Sequence, residues 1–228
     1  MKIQALPHLE FAMSRCSISS TLTAALLLLV AIPSCNRGPA PFKQPSINAS
    51  SAGKLAMEQY DKDGDGKVAG AELEQAPSLK AAIKNLDTDN DGGVSAAEVT
   101  ERVNAWIAMK TALASVPCKV TLDGEPLGGA TITFEPEAFL GDEIKHSVGT
   151  TNAYGVTSPS VPAEERPDPK SPSGTYFGLY KVRISKMAGG KETIPARYNT
   201  QTILGQEVSY DDPGVKNRNV TFALKSGG

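Results

Sequence analysis

Two twelve-residue stretches constrain this chain more than anything else in it: Asp61 to Glu72 (DKDGDGKVAGAE) and Asp87 to Glu98 (DTDNDGGVSAAE). Each sets Asp at positions 1, 3 and 5, Gly at 6, an aliphatic residue at 8 and Glu at 12. A hard divalent cation takes roughly six to eight oxygens at about 2.3–2.6 Å, and this spacing supplies them from one short loop. Asp61, Asp63 and Asp65 turn inward together only where the backbone bends sharply. Gly66, with no Cβ to clash at positive φ, permits that bend. Lys67 would offer its backbone carbonyl, because its own charge cannot ligate a cation. Glu72, on the first turn of the next helix, closes the cage with both carboxylate oxygens. The second loop repeats the set with Asp87, Asp89, Asp91, Gly92, the carbonyl of Gly93, and Glu98. A single acidic stretch of this kind is consistent with a solvated turn; two complete ones in tandem point to a metal.

Hydrophobic residues frame both loops at matching offsets. Val68 and Val94 occupy position 8, where a short antiparallel bridge would join the loops. Tyr60 and Leu86 immediately precede them, with Met57 and Ile83 one helical turn earlier. These residues carry the EF-hand pattern, and 51–115 closely resembles EF-hand calcium-binding proteins. The resemblance implies two Ca2+ as the cofactors. Position 9 is Ala69 in the first loop and Ser95 in the second, so only the second has a hydroxyl to hold a coordinating water. Against that, Gly93 makes the second loop more costly to order, while Lys62 and Lys67 weaken the negative potential of the first. These effects oppose one another and leave the two sites unranked. Residues 73 to 86 are a short spacer, with Pro77 fitting the first turn of an entering helix over Ser78 to Leu86. The preceding helices are expected over Ala52 to Tyr60 and Gly70 to Gln75. Such a compact pair looks more like bacterial extracellular EF-hands and dockerin-like modules than like a signalling switch.

Residues 1–34 read as a targeting segment. Arg15 precedes an apolar run, Leu22 to Ile32, that is shorter than the roughly 20 residues a membrane span needs. The ending Ile32-Pro33-Ser34-Cys35 is similar to the lipobox of bacterial lipoproteins, which implies cleavage before Cys35 and lipidation of its thiol. Met13 is an alternative start. Cys16 would leave with the signal, so an intramolecular disulfide is not expected and Cys118 would stand alone as a buried thiol. Residues 35–50 are polar and rich in Pro, Ser and Asn, a tether whose ends would lie roughly 20–25 Å apart as coil.

A long helix is expected over Ala96 to Ser115, with Val99, Val103, Trp106, Ile107 and Leu113 on one face. From Val116 the period changes to strand-like alternation. Strands are expected over Cys118 to Leu122, Ala130 to Phe134, Ser147 to Thr151, Val156 to Ser158, Tyr180 to Ile184, Gln206 to Ser209 and Asn219 to Leu224. Asp123-Gly124 is a hairpin signal and Asn152 to Gly155 a turn. The pattern implies a seven-stranded antiparallel β-sandwich. Val120 to Pro136, Thr151 to Gly155, Gly178 to Ile184 and Ile194 to Asn199 resemble the carboxypeptidase regulatory-like (transthyretin-like, prealbumin-like) domains of bacterial surface proteins. That resemblance spans nearly all of 116–228 and brings no catalytic residue with it. Pro159 to Ser173, with five prolines, is expected to be an exposed loop of extended backbone. Tyr176 and Phe177 after it suit core packing or a ligand site.

The expected architecture is thus multidomain, α plus all-β: signal 1–34, lipidated tether 35–50, EF-hand pair 51–115 and sandwich 116–228. A net charge of −2 over 228 residues gives no electrostatic case for nucleic acid. After Cys35 the chain keeps one histidine, His146, too few for a zinc peptidase or a Ser–His pair. The expectation is a non-enzymatic, calcium-binding, lipid-anchored envelope protein, exported and held at the membrane through Cys35. The alternative is an interaction module, dockerin-like or sugar-binding, that docks an envelope protein or polysaccharide in a calcium-dependent way.

Overall fold

The computed structural model describes residues 44–166 and 172–227. The expected signal segment, Cys35, most of the tether and the middle of the proline-rich stretch lie outside the described residues.

Helix α1 (Ala49–Tyr60) begins three residues before the sequence expectation, because the Asn48 side chain caps it by accepting the N–H of Ser51 at 2.9 Å. Residues 44–48 are attached to the body rather than loose. The Gln44 amide donates to the Thr111 carbonyl (3.0 Å) and the Ser46 N–H to Glu143 (2.7 Å). The expected tether therefore stops short of Ser50. After the first acidic loop come β1 (Lys67–Ala69), α2 (Ala71–Gln75) and α3 (Pro77–Leu86), with Pro77 in the first turn as expected. The second loop leads into β2 (Gly93–Ser95) and α4 (Ala96–Ala108).

Helix α4 ends well short of the expected Ser115. Lys110 turns to a φ of 53°, and the Ala112 carbonyl accepts the N–H of Phe177 at 2.8 Å, which draws the chain into sheet pairing. Val99, Val103 and Trp106 are buried as their spacing implies. Ile107 is 41% exposed, and Leu113 leaves the helix for a two-residue strand, β3 (Leu113–Ala114).

The β region comprises β4 (Cys118–Leu122), β5 (Glu125–Pro126), β6 (Thr131–Pro136), β7 (Ser147–Thr150), β8 (Val156–Thr157), β9 (Thr175–Tyr176), β10 (Gly178–Ser185), β11 (Met187–Ala188), β12 (Lys191–Glu192), β13 (Gly205–Val208), a short helix α5 (Pro213–Lys216) and β14 (Val220–Leu224). One four-stranded sheet runs β13-β10-β6-β7, antiparallel throughout. A second holds β14-β4-β5 with β8 also on β4. Here the expectation of uniformly antiparallel strands is corrected: β14 lies parallel to β4, in register Phe222 to Val120. Alternating burial is the same for either direction, so the pattern of β14 carried no sign of it. The Asp123-Gly124 turn between β4 and β5 has φ values of 54° and 94°, as a two-residue hairpin requires.

Register explains the layering. Tyr180, Val182 and Ile184 of β10 share a face with Phe134 and Ile132 of β6, and all are buried. Val220, Phe222 and Leu224 of β14 share one with Cys118 and Val120 of β4. Phe134 meets Phe222 edge-on, ring centroids 6.3 Å apart, so these two faces form one core. Such an aromatic pair contributes about 0.5–1.5 kcal/mol beyond its buried area. The opposite face of β10 takes the helices: Leu179 is fully buried there, paired with Glu207 of β13. Helix α3 comes close enough that a Cβ on Gly205 would meet the Pro77 carbonyl at 1.9 Å. Helices, sheet and second sheet stack as three layers, and all described residues belong to one compact unit. The fold is mixed α and β with mostly antiparallel strands.

Residues 159–166 of the proline-rich segment are less exposed than expected. Pro159 and Val161 are buried, Ser160 bridges to Val148, and Ala163–Glu165 form a single 3-10 turn. Tyr176 and Phe177 both lie in the core, each 2% exposed.

Candidate metal centre

Each acidic loop starts where a helix runs out of partners. Asp61 ends α1 by donating its N–H to Met57 (2.9 Å), and Asp87 ends α3 by donating to Ile83 (2.8 Å). The carboxylates then gather the backbone of their own loop. Asp61 accepts the N–H of Gly64 (2.7 Å) on one oxygen and of Gly66 (3.0 Å) on the other. Asp63 accepts from Asp65 (3.1 Å), and Asp65 from Lys67 (3.0 Å). The second loop follows the same plan: Asp87 accepts from Asp91 and Gly92, Asp89 from Asp91, and Asp91 from Gly93, all between 2.9 and 3.1 Å. Position 6 has φ of 96° at Gly66 and 86° at Gly92, the left-handed bend inferred from sequence.

This wrapping brings three carboxylates of each loop together. Asp61, Asp63 and Asp65 each offer an oxygen within 4.8 Å of the others, and so do Asp87, Asp89 and Asp91. The donors are all oxygen, and each carboxylate keeps lone pairs beyond those its loop N–H groups use. The donor set therefore suits a hard divalent cation.

Glu72 and Glu98 stand outside these triads. Glu72 accepts the N–H groups of Lys62 (2.6 Å), Asp63 and Ala69 (both 3.3 Å), and those bonds, led by that from Lys62, lower its pKa. Glu98 accepts from Thr88 (2.8 Å) and from the N–H and hydroxyl of Ser95 (2.8 and 2.9 Å). Burial pushes its pKa up, but the bonds from Ser95 and Thr88 win and it is lowered. Ser95, expected to hold a water, also caps α4, where its hydroxyl accepts the N–H of Glu98. Gly70 gives α2 no such cap, and α2 is a five-residue helix. Strands β1 and β2 join the loops through the expected contact, Val68 opposite Val94, both fully buried.

No family model, curated protein or solved structure matches this chain. Among the described residues no helix is long and apolar enough to cross a membrane.

Sequence reasoning missed how the loops connect to the sheet. Tyr60, the residue before the first loop, donates its hydroxyl to both oxygens of the buried Glu137 (3.0 and 2.9 Å), which also accepts from Ser78 (2.5 Å). Burial and the neighbouring carboxylate push the Tyr60 phenol strongly upward. Asn85, two residues before the second loop, donates to Glu207 (2.7 Å), which also accepts from Arg102 (2.6 Å) and Trp106 (3.1 Å). Burial raises the pKa of Glu207 despite the Arg102 charge beside it. The signal available in sequence was a Glu inside the strand expected over Gln206 to Ser209 and another just after β6. On the same face of the sheet that takes the helices, a cleft of about 780 Å³ is lined by Glu135, Lys145, His146, Glu165, Arg183 and Asn199 among others. His146 Nδ1 stands 3.4 Å from Glu165, and Arg183 pairs with Glu135 at 2.8 Å. Cys118 is buried, which pushes its thiol up to about 12.

Proposed function

We propose that this is a calcium-binding protein with an EF-hand pair carried on a prealbumin-like β-sandwich, held at the cell envelope by lipid on Cys35 and without catalytic activity. The observation that supports it best is the convergence of Asp61, Asp63 and Asp65, and again of Asp87, Asp89 and Asp91, in two loops joined back to back. In this reading Asp61, Asp63, Asp65, the Lys67 carbonyl and Glu72 hold the first Ca2+. Asp87, Asp89, Asp91, the Gly93 carbonyl and Glu98 hold the second, with Ser95 at the rim. The ion neutralises carboxylates that repel one another when the loop is empty, so calcium acts as a structural cofactor. Sites facing millimolar calcium outside the cytosol work with Kd values of about 10⁻⁴–10⁻³ M.

At free calcium a hundredfold above Kd, each site adds about 2.7 kcal/mol. Two sites give about 5 kcal/mol, worth about 10–20 °C in Tm for a unit of this size. Thermal melts with calcium held a hundredfold above Kd and with chelator should differ by that amount. A Tm unmoved by chelator, together with no heat on calcium titration, refutes the reading. Intact-mass spectrometry of natively expressed protein tests the anchor: diacylglycerol on an N-terminal Cys35 is the expected mass.

A second reading, an interaction module, is favoured by the polar cleft beside Arg183 and Glu135. Retention on immobilised glycans, or calcium-dependent pulldown of a single envelope protein, supports it; retention of neither dismisses it.

A further inference from the structure

Lys67 belongs to the first loop by sequence and to the second by contact. Its Nζ lies 3.0 Å from Oδ2 of Asp91, the position-5 carboxylate of the second loop. The other Asp91 oxygen accepts the N–H of Gly93. The path is made possible by that glycine. A Cβ on Gly93 would meet Cδ of Lys67 at 2.8 Å and Cγ at 3.3 Å, so the aliphatic stem of Lys67 occupies the space a side chain would fill. Position 7 of both loops is thereby explained: a lysine in one, and in the other the residue that lets it cross. The β1–β2 register places the two residues diagonally across the bridge, Lys67 opposite Ser95 and Gly93 opposite Ala69.

We infer that Lys67 is a built-in counter-cation of the second loop, holding Asp91 in the ion-free chain so that calcium enters the second site against a fixed positive charge. The inference rests on the calcium reading and ranks the two sites that sequence left unranked. The backbone carbonyl of Lys67 serves the first loop whatever side chain it carries, whereas its ammonium pairs with Asp91 and opposes the ion in the second loop more than that in the first. A single and a double charge roughly 6 Å apart in water-like dielectric repel enough to change an affinity about tenfold. Screening at physiological salt trims this to about threefold. The second site is therefore the weaker for its carboxylate count and the more dependent on ionic strength.

Calorimetric calcium titration of the full chain tests this, with Glu72→Gln leaving only the second loop intact and Glu98→Gln leaving only the first. Adding Lys67→Met, which keeps the apolar stem, to the Glu72→Gln chain should raise calcium affinity about 3–10-fold at low salt, less at high salt. In the Glu98→Gln chain the same substitution should leave affinity within about twofold. Gly93→Ala, which displaces the lysine stem, should raise second-loop affinity in the same direction, and the double substitution should exceed neither by more than about twofold. A second-loop affinity unmoved by Lys67→Met, or an equal rise in both loops, overturns the inference while leaving calcium binding in place. Absence of calcium heat in the parent chain overturns both.

Discussion

Tyr60→Phe deletes one oxygen, yet it should weaken the molecule as a whole. The hydroxyl lies in a buried setting and donates to Glu137 at 3.0 and 2.9 Å, spanning from the end of α1 to the residue after β6. Glu137 is left with Ser78 at 2.5 Å, Gln59 at 3.3 Å and the Lys181 ammonium at 3.6 Å. A hydrogen bond to a charged acceptor contributes about 1.5–3 kcal/mol, so about 2 kcal/mol should be lost. In a unit of this size that is a fall of about 4–8 °C in Tm. Glu137→Ala orphans the Tyr60 and Ser78 hydroxyls together and should cost about 3–5 kcal/mol. Urea unfolding followed by Trp106 fluorescence and by far-UV circular dichroism is the assay. Trp106 reports the helical layer, while the dichroism also reports the sheets, and the two transitions should coincide and shift together in both variants. A loss below about 0.5 kcal/mol, or a fluorescence midpoint that moves while the sheet signal stays, would refute the claim that Glu137 fastens the helices to the sheet.

Arg102→Met leaves Glu207 fully buried without its cation and should cost about 3–5 kcal/mol, much of it recovered by adding Glu207→Gln; urea midpoints of the three variants decide this. Stability should also fall at the acid end. The Arg102 guanidinium, with Ser209 and against partial burial, holds Asp211 down at about 2 from an ordinary 3.8, so its contribution is full above about pH 4 and disappears as pH drops from there to 2. Discounted for a carboxylate 49% exposed, this is about 1 kcal/mol, and Asp211→Asn should flatten the urea midpoint below pH 4 by that amount. Glu207, whose pKa is raised, works in the opposite sense above its unfolded value of about 4.5 and does not overlap that window. Cys118 should stay unlabelled by a thiol reagent in the folded chain and react fully in urea, since burial keeps its thiol protonated.

Local order was readable from sequence wherever one short segment carries the whole signal. The bend at Gly66, the bridge at Val68 and Val94, the strand from Cys118 to Leu122 and the alternation of Tyr180, Val182 and Ile184 each depend on neighbours a few residues away. What escaped depends on partners far along the chain. Helical spacing continues past Ala108, but Phe177 claims the Ala112 carbonyl and Tyr176 pairs with Leu113, so the helix stops. The ion cluster of Arg102, Glu207 and Asp211 joins residues that have no relation in sequence. Lys67 could be assigned to the first loop by position, but its length and the empty space at Gly93 decide which carboxylate it reaches.

The parallel seating of β14 beside β4 has a consequence for synthesis. Val220 to Leu224 cap a sheet whose neighbouring strand emerges about a hundred residues earlier, with β14 supplying Phe222 to the shared core. During vectorial emergence, β4 waits with a bare flank until the last strand arrives, and exposed flanks recruit other chains. Chaperone demand should therefore be set by the far end of the polypeptide, although the acidic loops are complete long before.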